Sequence, residues 1–64
     1  MELPVILPGE YQTLCRLSVR NGAGLNFPKQ EHRLPAYERI SIKEVKYLSV
    51  SVWGKTKEGW ICMY

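Results

Sequence analysis

The sequence predicts an all-β domain: a small, strongly bent barrel of four or five short antiparallel strands, with one long loop after the first main strand. Three observations lead there. Apolar and polar residues alternate with a period of two in short runs, over residues 10–20, 37–45, 50–56 and 60–64. No segment holds a helical period for ten or more residues, and there is no internal repeat. Turn formers punctuate the runs, Asn21-Gly22-Ala23-Gly24 after the first and Lys57-Glu58-Gly59 before the last. A bent sheet suits 64 residues, which lie near the lower limit for an unaided core, because closing the sheet removes exposed edges.

Taken in order, residues 1–9, MELPVILPG, carry two prolines and read as an extended lead-in that covers one edge of the domain or links it to something else. The domain proper spans residues 10–64. In the first strand Tyr11, Thr13, Cys15, Leu17 and Val19 share the face expected to be buried, while Gln12, Leu14, Arg16, Ser18 and Arg20 share the other. Leu14 breaks the pattern, marking a bulge or a place where the lead-in packs. Residues 21–36 read as the long loop. Within it Phe27 is held extended by Pro28, residues 29–33 form a charged run expected to be solvated, and Leu34 anchors the loop in the core. In the next strand Ile40 and Ile42 point inward and Arg39, Ser41 and Lys43 outward. Residues 46–49 lack Gly, Pro and Asn and give only a weak turn signal; residues 50–56, VSVWGKT, are β-branched and aromatic. Gly59 sits where the following hairpin needs a positive φ, and WICMY closes the chain.

Composition narrows the function. With 45% hydrophobic and 23% charged residues the chain is globular in character. A net charge of +3 favours an anionic partner without selecting one. Two cysteines without a CxxC pair, and a single histidine, fall short of the four ligands of a structural zinc site. Two buried free thiols are the simpler expectation, since a Cys15–Cys62 disulfide needs the first and last strands side by side. Cys15 and His32 are the one pair suggestive of nucleophilic catalysis, and they lack an orienting third group. Gly22-x-Gly24 precedes no helix, so a nucleotide-binding reading fails, and no cofactor is implied. No apolar run is long enough to span a membrane, and the stretch 3–7 is interrupted by Pro4 and stopped by Pro8.

Two stretches, LSVRNGAGLNFP and WGKTKEGWICMY, resemble the signatures of bacterial Src-homology-3-like (SH3-like) domains. In the first, a strand ending in Val-Arg meets a small residue, Gly, often Pro, then Gly, and soon an aromatic before Pro. In the second, a Trp-Gly-Lys strand and a tight turn lead to Gly-Trp, a few strand residues and a Tyr. The order and separation match, and together they cover residues 11–64. Ala23 stands where the family often has Pro, Ser18 where it often has Asn, and residues 46–49 lack the usual Gly or Asn turn. The resemblance implies a barrel of five to six short strands. It also implies a non-catalytic accessory module of a wall-associated, extracellular parent, holding a hydrolase domain at peptidoglycan by its stem peptides or cross-bridges.

For such a module the expected site is a shallow groove of rings with a few orienting polar groups. Phe27, Tyr47, Trp53, Trp60 and Tyr64 supply rings, and Arg20, Asn26 and Lys55 the polar groups. Core packing competes for every one of these aromatics in so small a chain. Trp60 is the leading candidate, because it opposes Ile61 and Met63 in parity and is left outside if those two are core. Arg20 suits a ligand carboxylate, or equally the carbonyls of its own loop. Two other readings stand beside this one. The first is a docking module inside a larger protein. The second is a nucleic-acid-binding face of Arg16 and Arg20 with Arg39 and Lys43, which Glu38 and Glu44 interrupt.

Overall fold

The computed structural model describes residues 3–64; residues 1–2 of the expected lead-in lie outside the described residues. It is all-β, with seven short strands: β1 (Gly9–Gln12), β2 (Leu17–Arg20), β3 (Lys29–Leu34), β4 (Arg39–Ile42), β5 (Glu44–Tyr47), β6 (Val52–Lys55) and β7 (Trp60–Cys62). Every pairing is antiparallel. Five strands form one sheet in the order β3-β2-β7-β6-β5, and β1 and β4 pair as a second. Three connections join the sheets: two corners, residues 13–16 between β1 and β2 and Lys43 alone between β4 and β5, and the turn at residues 35–38 between β3 and β4.

The first corner corrects the expectation of one strand over residues 10–20. Thr13 is buried and holds the turn at residues 35–38: its hydroxyl donates to the Pro35 carbonyl at 2.7 Å and accepts from the Glu38 amide at 2.9 Å. Its own amide and carbonyl bond Glu38 and Tyr37, so the backbone is spent on a turn rather than on a continuing ladder. Tyr37 takes a left-handed φ of 62° within that turn. The chain bends past it, and Leu14 and Cys15 emerge into solvent where alternation would have buried Cys15. Both cysteines are free, and both are exposed rather than buried.

The long loop is shorter than expected. Residues 29–33, read as solvated loop, belong to β3, which pairs with β2 across the loop 21–28. An exposed edge strand tolerates charges on its outer positions, so a charged run does not exclude one. Leu34 is buried, as an anchor should be. At the second corner the Lys43 amide bonds the Lys55 carbonyl at 2.8 Å, passing one bent strand from the partner β1 to the partner β6. The turn after β5 falls at residues 48–51, closed by the Leu48 amide on the Ser51 carbonyl.

Val19, Leu34, Ile42 and Ile61 form the buried core, with Tyr11, Leu17, Ile40, Val45 and Met63 packed against it. Each buried aliphatic side chain contributes roughly 1.5–3 kcal/mol, so these few residues decide whether the domain folds. Gly54 faces the same interior: a Cβ there would collide with Met63 and Ile42. By strand alternation, the neighbours Trp53 and Lys55 face the other way.

Candidate functional site

That outer face carries a row of side chains aligned by the ladder. Lys29 pairs with Arg20, Arg20 with Trp60, Trp60 with Lys55, and Lys55 with Glu44, one residue from each of the five strands. Directly paired residues point to the same side, so Trp60 stands at the centre with Arg20 and Lys29 on one flank and Lys55 on the other. Trp60 is half-buried while Ile61 is core, the arrangement its parity predicts. The Lys55 ammonium lies 6.0 Å from the Trp60 ring centroid, at the outer reach of a cation–π contact. None of the three cations forms an ion pair with a described residue.

The loop 21–28 folds back over this face. Arg20 staples it, one guanidinium nitrogen (Nη1) donating to the carbonyls of Leu25 at 3.1 Å and Phe27 at 2.7 Å. The Phe27 ring lies against Gly22, where a Cβ would come within 2.5–2.7 Å of three ring carbons. A Cβ on Gly24 would reach Leu48, beyond the far end of β5, so the loop spans from Arg20 across to the turn at 48–51. Trp53 lies two residues from Lys55 on the same side of β6. Its indole N–H bonds the Ser51 hydroxyl at 3.0 Å, and the residue is only 2% exposed although it faces away from the main core.

The eight sequence candidates therefore divide. Arg20, Lys55, Trp60 and the loop residues Asn26 and Phe27 gather at one place, with Phe27 and Asn26 exposed. Trp53 is a correction: at 2% exposure its ring is covered and offers no surface to a ligand. Tyr47 is three residues along β5 from Glu44, roughly 10 Å from the row, and its hydroxyl is bonded to Ile6. Tyr64 lies past the end of β7 beside Val52, away from Trp60. One continuous groove of five rings does not form. Lys29 is hidden in the sequence because it opens a charged run that has the look of a solvated loop, whereas it begins β3.

A cleft of about 440 Å³ lies elsewhere and includes none of the eight. It opens between β3, β4 and the turn after β6, with Leu34 and Ile40 below mixed charges such as Glu38, Lys43 and Lys57. His32 and Glu58 meet there at 3.0 Å, so His32 is occupied by a carboxylate rather than by Cys15. Arg39 and Lys43, the second half of the basic face considered above, line this cleft among acids, while Arg20 faces the outer row. Among the described residues no three His, Cys, Asp or Glu side chains converge as metal ligands, and no helix is long and apolar enough to cross a membrane.

Comparison with protein-family models, with curated proteins and with solved structures finds no match for this chain.

Proposed function

We propose that this domain is a non-catalytic binding module of the bacterial SH3-like kind, whose ligand is an extended, carboxylate-bearing peptide such as a stem peptide or cross-bridge of peptidoglycan. One observation carries the reading: a half-exposed Trp60 at the centre of a row that places around it three cations with no ion-pair partner among the described residues. An indole face offers a flat apolar seat, and flanking cations suit the carboxylates of wall peptides. The two signature stretches and the two corners that bend the strands into a compact shape support an SH3-like barrel. In this reading the parent protein works at the cell wall, and an adjoining hydrolase domain gains residence on its substrate.

A docking role inside a larger protein is the second reading. It is favoured by Leu14, 78% exposed, and Tyr37, 71% exposed, which flank the Thr13 corner.

Co-sedimentation with insoluble peptidoglycan separates the two. Trp60→Ala should remove the sedimenting fraction while the folded NMR spectrum persists, and Lys55→Ala should weaken binding several-fold, about 1 kcal/mol for one exposed cationic contact. A folded parent chain that stays in the supernatant rejects the wall-binding reading.

A further inference from the structure

The lead-in residues bear on a second site. Residues 3–8 belong to no strand, and the hydroxyls of two tyrosines hold their backbone. Tyr47 accepts from the Ile6 amide at 3.0 Å and donates to the Ile6 carbonyl at 2.9 Å; Tyr11 donates to the Leu7 carbonyl. A phenol has one donor and can accept, and Tyr47 applies both to a single residue, as a neighbouring strand would. Such a contact reads backbone and ignores side-chain identity.

The side chains of the segment behave unlike a structural strap. Leu3, Pro4 and Ile6 are half-buried, whereas Val5 is 83% exposed and Leu7 66% exposed. A strap selected to seal the core would turn its apolar residues inward; here two of the five residues 3–7 stay largely in solvent. Among the described residues no backbone–backbone hydrogen bond ties the segment to either sheet.

We infer that Tyr47 and Tyr11 form a peptide-binding site, separate from the Trp60 row, that takes an extended apolar peptide containing proline, and that residues 3–7 are its occupant in cis. The chemistry of the foreign ligand follows from the resident one. It needs a free backbone N–H and C=O at the position of Ile6, and apolar residues at the positions of Leu3, Pro4 and Ile6. The positions of Val5 and Leu7 are open to any side chain. A tethered occupant acts at an effective concentration of about millimolar, so the site is masked until a competitor exceeds that or the tether is weakened.

The test uses the full chain with Ile6→Pro, which removes the N–H that Tyr47 accepts and suits an extended segment. A fluorescent peptide with the sequence of residues 2–9 is the probe, read by anisotropy. It should bind the Ile6→Pro chain about tenfold more tightly than the unmodified chain, the worth of one such contact. Adding Tyr47→Phe should abolish the gain. Within the probe, Val5→Lys should leave binding unchanged and Ile6→Lys should remove it. Equal affinity for both chains, or indifference to Tyr47→Phe, overturns the inference. Should Ile6→Pro fail to fold, the unmodified chain labelled with 15N is titrated with the unlabelled peptide to several millimolar. A shift of the Ile6 amide resonance supports the site, and an unmoved Ile6 amide overturns it.

Discussion

Replacing Gly59 by Ala should destabilise the domain more than any other single methyl group added to a turn. Gly59 has a φ of +151°, a conformation that a residue with a side chain rarely adopts. That strain alone costs about 1–3 kcal/mol. The new Cβ would also stand 2.8 Å from the Arg20 carbonyl oxygen, 2.8 Å from Val19 Cγ1 and 2.7 Å from Gln30 Nε2. Gln30 can swing away, though at the loss of its 2.8 Å bond to the Glu58 carbonyl, worth about 1 kcal/mol. The Arg20 carbonyl and Val19 cannot: one is main chain and the other is buried core. Together these give roughly 2–4 kcal/mol, a large share of the stability of so small a domain. At about 4–8 °C per kcal/mol the midpoint of thermal unfolding should fall by roughly 8–30 °C. Circular dichroism measures it directly. A midpoint within about 2 °C of the parent would mean that the turn at 57–59 and its approach to β2 are wrongly described.

Gly22→Ala should cost less, about 1 kcal/mol, because its φ is unremarkable for a side chain and the obstacle is the exposed Phe27 ring, which can rotate outward; a loss equal to that of Gly59→Ala in the same melt contradicts this. Thr13→Val should cost about 1–2 kcal/mol in chemical denaturation, since it leaves the part-buried Glu38 amide without its hydroxyl partner. Arg20→Ala should free the loop 21–28, visible as faster hydrogen exchange at the Phe27 amide, which bonds the Gly24 carbonyl at 3.4 Å; unchanged exchange there would deny Arg20 its stapling role.

Much of the fold could be read from the sequence because period-two alternation is a direct image of the pleat. Ile40 and Ile42, Val19, and the opposition of Trp60 to Ile61 all lie where alternation puts them. It failed where a side chain overruled the pattern. Thr13 fits the buried parity, and nothing local reveals that its hydroxyl and backbone will bind residues 35–38, more than twenty positions on. β3 was hidden because an edge strand with one open side does not need apolar residues at every second position. Trp53 misled for a related reason: parity shows that it faces away from the core, but only tertiary packing leaves its ring 2% exposed there. Glycine was legible as a requirement and less so as a mechanism, since Gly59 answers to φ while Gly22 answers to the nearness of a ring.

The covered and uncovered indoles give the molecule two independent optical channels. Trp53, sealed and bonded to Ser51, emits from a rigid environment shielded from dissolved quenchers, whereas Trp60 meets them. Iodide therefore dims one and spares the other. A ligand seated on the outer row changes only the accessible fraction, while local opening around Trp53 converts the protected fraction into an accessible one. Occupancy and local opening are thus separable in a single cuvette, without any label added to the chain.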